Sequence, residues 1–306
     1  MKYYIGIDGG GSKTMFAISD ESGKILGTAL AGSAFYKQIG EEGVIDLLRN
    51  GVAEVCRFAE GDATDIASVC FGMPAWGESP VNDKIIEEKI LSTFPEWNIH
   101  IVNDCEVGWA GSLELYPGIN IVAGTGSIAF GKNEEGVTAR CGGWSEWFGD
   151  EGSGYWLGVK CVQLFSRQSD GRDERGPLYE IVRKELNLSV DEEIIDLFEQ
   201  EYLHKRDKIA SLQKLLLQAA KEGDVYAVDT YAQAAKELYD IVCGVKKKIF
   251  ADKNCLVSCS GGIFKTGDVI RKPFRKLLEA DGMELTESKA EPYVGAVLLA
   301  KYYENK

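Results

Sequence analysis

Apolar residues run or alternate over 3–7, 14–19 and 25–30, separated by Gly9-Gly10-Gly11 and Asp20-Glu21-Ser22-Gly23. Period-two stretches divided by turn chemistry predict an antiparallel meander of three strands. The pattern then lengthens to a helix over about 41–60, a buried strand from Ile66 to Gly72, a helix over 82–93, a strand from Ile99 to Asn103 and a helix over about 105–115. Strands alternating with helices predict an α/β layer structure. A second meander begins at Gly118, with strands at 119–123 and 128–131 around Gly124-Thr125-Gly126-Ser127, so the opening pattern returns as a structural repeat. From Gly152 to Phe250 apolar stripes such as Ile194, Ile195, Leu197 and Phe198 recur at helix spacing. A strand at Cys255–Ser258, a turn at Ser260-Gly261-Gly262 and helices over about 264–280 and 292–303 complete the chain.

With 306 residues there is room for two lobes, expected as 1–115 plus 291–306 and 116–290 with a helical insertion. The 34 basic and 48 acidic side chains give a net charge of −14 and no basic run longer than Lys246-Lys247-Lys248, which argues against a nucleic-acid or anionic-membrane surface. There is no apolar run of 18 residues and no signal-peptide core at the start, so a cytoplasmic location is expected. The eight cysteines form no CxxC pair and sit mostly in apolar segments, as reduced core thiols do. An acidic chain that binds a polyanion must do so with backbone N–H groups and a metal ion, and such a site shows as glycine-rich sequence.

Asp8-Gly9-Gly10-Gly11-Ser12-Lys13-Thr14 is such a segment. It is not a P-loop: Ser12 stands where glycine must precede Lys-Thr, and the residues after Thr14 read as strand, so no helix N-terminus follows. A glycine hairpin between strands aims N–H groups at an anion by a different route, with Asp8 placed to hold hydrated Mg²⁺. Read alone, it is equally a plain hairpin turn. Gly124, Thr125, Gly126 and Ser127 again join two strands, and Gly261 and Gly262 follow another. Asp104 closes a strand before a helix, either as a helix cap or as a carboxylate facing a substrate.

Together Ile5-Gly-Ile-Asp-Gly-Gly-Gly-Ser-Lys-Thr14, Asn103-Asp104, Ala123-Gly-Thr-Gly-Ser127, Gly142-Gly-Trp144 with Gly149-Asp-Glu-Gly-Ser153, and Ser260-Gly-Gly262 resemble the sugar kinase, heat-shock ATPase and actin superfamily. Within it the chain resembles the BadF/BadG/BcrA/BcrD ATPase family, most of all its N-acetylglucosamine kinase branch. The resemblance implies an actin-like, ribonuclease H-like ATPase fold. Each lobe would hold a mixed five-stranded sheet flanked by helices, with ATP and sugar in the interlobe cleft.

It further implies an ATP- and Mg²⁺-dependent kinase, expected as a homodimer, acting on a small amino sugar such as N-acetylglucosamine, N-acetylmuramic acid or glucosamine. Gly10, Gly11, Ser12, Lys13, Thr14, Gly124, Thr125, Gly126, Ser127, Gly261 and Gly262 would hold ATP, and Asp104 would orient the acceptor hydroxyl and take its proton. Asp104, Phe35, Gly143, Trp144, Ser145 and Asp150 would face the sugar. The chain departs from the family where Ala34-Phe35-Tyr36-Lys37 follows Gly32-Ser33 in place of an expected asparagine, and where Ser145 replaces glycine. Two other readings stay open: a dehydratase-activating ATPase, whose cluster cysteine context is missing before Gly124, and a non-catalytic sugar sensor.

Overall fold

A computed structural model describes residues 1–59, 65–251 and 253–304; the end of the helix expected over 41–60 and the last two residues of the expected 291–306 segment lie outside the described residues. The chain forms two compact units, Met1–Asn120 with Glu287–Lys306, and Ile121–Thr286.

In the first unit β1 (Tyr3–Gly9), β2 (Thr14–Ser19), β3 (Ile25–Ala31), β4 (Ile66–Met73) and β5 (Ile99–Asn103) form a sheet in the order β3-β2-β1-β4-β5. The meander β1-β2-β3 is antiparallel, whereas β4 and β5 run parallel to β1. The central strand β1 is buried almost throughout, as expected where helices cover both faces, while the edge strand β3 is only half buried. Around the sheet lie α1 (Tyr36–Cys56), α2 (Pro80–Thr93), α3 (Asp104–Leu113) and the C-terminal helix Pro292–Glu304. Ile5, Ile7, Phe16, Leu48, Val52, Phe71 and Ile90 belong to one core.

The register sets the chemistry. Asp8 pairs with Gly72, and Met73 with Asn103, so the ends of β1, β4 and β5 line up and place Asp8 and Asp104 along one carboxyl edge of the parallel strands. The C-terminal helix packs so closely on α3 that a Cβ on Gly111 would lie 2.6 Å from the Glu291 carbonyl oxygen. Helix α1 begins five residues before its expected start because Gly40, at φ 71°, bends it and leaves Tyr36–Ile39 as a separate first turn.

In the second unit β6 (Gly118–Ala123), β7 (Ser127–Lys132), β8 (Thr138–Gly142), β9 (Leu256–Ser260) and β10 (Glu284–Thr286) form a sheet in the order β10-β9-β6-β7-β8. Reversed, this is the first sheet's order, so the repeat read from two glycine turns is a repeat of topology. Sequence patterning missed β8 and β10; each is short and neither alternates clearly. Helices α4 (Gly154–Ser169), α5 (Pro177–Glu185), α6 (Glu193–Leu197), α7 (Arg206–Ser211), α8 (Gln213–Lys221) and α9 (Val225–Ile249) fill the interval before β9. Asp224 caps α9 by accepting from the N–H groups of Tyr226 and Ala227 at 3.1 and 3.0 Å, and Tyr231, Ala234, Leu238, Val242 and Val245 make its buried face. The helix expected over 264–280 is split. A short 3₁₀ turn spans Ile263–Thr266, and α10 runs from Asp268 to Ala280 after Gly267, whose φ of 92° is outside helical range. Among the described residues, no helix is long and apolar enough to cross a membrane.

Candidate active site

The hairpin between β1 and β2 closes through the Gly10 N–H, which donates to the Lys13 carbonyl at 3.0 Å, while Gly11, Ser12 and Lys13 stand exposed. Thr14 is buried and its hydroxyl donates to the Gly32 carbonyl at 2.8 Å, so its side chain ties β2 to the end of β3. The Gly10 carbonyl accepts from the Ala34 N–H at 3.0 Å. One backbone bond therefore joins the hairpin to the loop that carries Phe35.

Asp8 and Asp104 are both partly buried, and the charge of Asp8 bears on the protonation of Asp104. Burial pushes the Asp8 carboxyl up to about 6; Lys13 opposes that rise and Glu291 adds to it. Burial, then the charge of Asp8, push Asp104 up to about 7, with a smaller contribution from Glu78. The N–H groups of Cys105 and of Asp104 itself pull the other way and lose. The cap of α3 is Asn103, whose side-chain oxygen accepts from the Cys105 N–H at 3.0 Å and whose amide donates to the Trp76 carbonyl at 2.6 Å. With Asn103 in that role, Asp104 is the first helical residue rather than the cap.

In the second unit the turn Gly124–Ser127 is bonded on several sides. The carbonyls of Gly124 and Thr125 accept from the N–H groups of Gly154 and Tyr155 at 2.8 and 3.1 Å, at the start of α4. The Ser127 N–H donates to Asp150 Oδ1 at 3.1 Å and its hydroxyl to the Glu151 carbonyl at 2.7 Å. Asp150, expected to accept from sugar hydroxyls, is 2% exposed, and its other oxygen pairs with Arg206. Its carboxylate thus organises the turn. Gly261 completes the arrangement: at φ 96° it passes so near that a Cβ there would lie 2.6 Å from the Ala123 carbonyl carbon.

The segment 142–150 presents aromatic surface, with Trp144 69% and Phe148 73% exposed. Gly143 is fixed by its N–H, which donates to the Ser127 carbonyl at 2.9 Å. Ser145 sits at φ 111°, a conformation that costs a side-chain-bearing residue and that glycine would adopt freely. Its hydroxyl bonds Glu146 at 3.2 Å.

Two residues at this turn escaped the sequence reading. Arg206 pairs with Asp150 and, at 3.6 Å, with Glu146; the Thr125 hydroxyl donates to Asp207 at 3.1 Å. Both lie in a charged helical stretch with no local signature, about 80 residues along the chain from the turn they touch, so only the tertiary fold reveals them. Among the described residues, no group of three or more His, Cys, Asp or Glu side chains is gathered as a metal cage, and all eight cysteines are free.

Two sheets of one topology, each joining its first strands through a glycine turn, define an actin-like nucleotide-binding fold of the kind found in sugar kinases. The chain belongs to the BadF/BadG/BcrA/BcrD ATPase family, whose model matches residues 5–300. It is 32% identical to the N-acetylmuramic acid/N-acetylglucosamine kinase of Clostridium acetobutylicum, over 98% of this chain and 99% of that protein. It is 30% identical to the N-acetyl-D-glucosamine kinase of Dictyostelium discoideum, over 97% of each. Its fold superposes with a TM-score of 0.77 on a protein from Chromobacterium violaceum provisionally assigned as an N-acetylglucosamine kinase, at 24% identity and covering 98% and 99% of the two chains.

Proposed function

We propose that the protein is an ATP-dependent kinase that phosphorylates an N-acetylated hexosamine. The observation that carries this is the Asp8–Asp104 pair at the carboxyl edge of the parallel strands, the place where ligands bind in open α/β sheets. A carboxyl held near 7 is poised to accept a proton at neutral pH, whereas an ordinary surface aspartate is too weak a base. Asp104 is the base that orients the acceptor hydroxyl. Phosphoryl transfer needs little else beyond alignment and charge neutralisation.

The Gly10–Lys13 hairpin, with Thr14 bracing it, and the Gly124–Ser127 turn each offer donors to ATP phosphates, and Gly261-Gly262 takes the nucleoside end. Phe35, Gly143, Trp144 and Ser145 are the sugar side, and Asp150 supports the second turn together with Arg206. The residues suit Mg²⁺: Asp8 is a partly buried hard oxygen donor whose charge lacks full compensation, and without a preformed cage the ion would keep its waters and bind mainly through phosphates. Once bound, it would neutralise phosphate charge.

A panel of glucosamine, N-acetylglucosamine and N-acetylmuramic acid with ATP-Mg²⁺, read by ADP release and by NMR of the products, tests this reading. Stoichiometric sugar phosphate is expected. ATP hydrolysis without sugar phosphate, or sugar binding without turnover, would overturn it.

A further inference from the structure

The loop at 33–37 departs from the family pattern, and the structure shows what replaces it. Starting at the phosphate hairpin, Gly10 bonds Ala34; Phe35 and Tyr36 follow with rings 6.0 Å apart in an edge contact. The Lys37 ammonium stands 5.7 and 5.8 Å from those two ring centroids and 3.7 Å from Glu78 Oε2. The turn carrying Glu78 is pinned in place, since the Gly77 N–H donates to Asp83 at 3.0 Å and the Trp76 carbonyl accepts from Asn103, the neighbour of Asp104. Helix α2 also reaches back, Asn82 donating to the Tyr36 hydroxyl at 3.2 Å. Loop, turn and base thus form one bonded circuit within the first unit.

We propose that Lys37 is a specificity residue that receives the carboxylate of an anionic hexosamine, a sugar carrying a carboxyalkyl ether such as the lactyl group of N-acetylmuramic acid.

Lys37 stands apart from two other basic side chains beside candidate site residues. Arg206 is already closed by Asp150 and Glu146, and Lys13 faces Asp8 on the phosphate hairpin. Among the described residues Lys37 has a single carboxylate partner, at the long end of ion-pair range, with half of its own side chain and about a third of its partner's exposed. Such a pair contributes little and exchanges readily for an incoming carboxylate. The rings of Phe35 and Tyr36 confine the ammonium from one side. A neutral hexosamine leaves the Lys37–Glu78 pair as it is, whereas an anionic one replaces Glu78, whose carboxylate turns to solvent.

The inference rests on the kinase reading above, so the test compares two sugars and three proteins. Wild type, Lys37→Met and Lys37→Arg are assayed with N-acetylglucosamine and N-acetylmuramic acid. Lys37→Met keeps the apolar stem and loses the charge, so kcat/KM for N-acetylmuramic acid should fall about ten-fold, chiefly through KM, as expected for one charge-assisted bond. N-acetylglucosamine carries no carboxylate for Lys37 to receive, and Lys37→Met keeps the stem beside Phe35, so its turnover should stay within about two-fold. Lys37→Arg should restore the acid sugar. Equal losses on both sugars, or wild-type turnover of N-acetylglucosamine without N-acetylmuramic acid, would overturn the assignment while leaving the kinase reading standing. Failure on every amino sugar would overturn both.

Discussion

The two glycine turns share a place in the same strand order but would offer a polyanion different surroundings. The hairpin at 10–14 is open: a Cβ on Gly11 would meet nothing within 4 Å, and the charged groups around it are the carboxylates Asp8 and Asp104, with Lys13 facing Asp8. The turn at 124–127 is enclosed, with its carbonyls, its serine and its threonine hydroxyl all bonded and a guanidinium built in beside it. A repeated topology therefore does not repeat its electrostatics. At the first turn a polyanion would meet two carboxylates and call for a cation from outside; at the second the guanidinium is already engaged by Asp150 and Glu146.

The largest expected effect falls on the open side. Asp104→Asn should lower kcat by about 10³-fold, in the range of a lost general base, while sugar affinity measured by calorimetry is kept. The asparagine is isosteric and removes a charge that the site holds at a cost. Near-normal kcat would show that the carboxylate edge does not do the chemistry and would remove the main distinction drawn between the turns.

Enclosure itself is tested by placing one methyl group in each turn. A Cβ on Gly126 would lie 2.7 Å from Asp150 Oδ1 and press on the Arg206 guanidinium, whereas a Cβ on Gly11 meets nothing within 4 Å. Gly126→Ala should cost about 2–3 kcal/mol in urea unfolding and raise KM for ATP, because it overpacks the turn and parts a half-buried ion pair whose carboxylate is enclosed. Gly11→Ala should stay within about 0.5 kcal/mol of wild type. Equal costs would mean the second turn can relax around the intrusion, and its bonding is not the restraint it looks to be.

The sequence made some of this contrast legible and hid the rest for identifiable reasons. Strands β1, β2, β4 and β6 announce themselves because buried strands bounded by Gly, Asn or Asp leave a run that no amphipathic helix shares. Strands β8 and β10 are half exposed and only five and three residues long, so pairing with neighbours rather than local pattern decides them. Glycines and the aspartates at strand ends were visible because both follow from local backbone needs. Asp150 was visible as well, but its partner Arg206 was not, so a carboxylate that looked free for hydroxyls turned out to be engaged. Ser145 was noted as a departure, and its positive φ now gives that departure a physical meaning.

The smallest expected effect concerns the charge stored at the open turn, and it is read from the ligand-free protein. Asp104 titrates near 7 when folded against an ordinary 3.8, so the folded state holds its proton more tightly than the unfolded chain. The sign follows. This group's contribution is most favourable below about pH 4 and is lost as pH rises through about 7, where the folded protein must ionise a partly buried carboxyl beside Asp8. Asp104→Asn has no such penalty, so its Tm should match wild type near pH 4 and exceed it by about 2–4 °C at pH 8. In the active enzyme the same titration should appear as a kcat/KM that declines below about pH 7, since the base must be ionised to act. Adding Mg²⁺ at pH 8 should narrow the Tm gap by neutralising the two carboxylates. A gap that is flat across pH would mean the aspartate pair stores no charge strain, and the open turn would then need no outside cation.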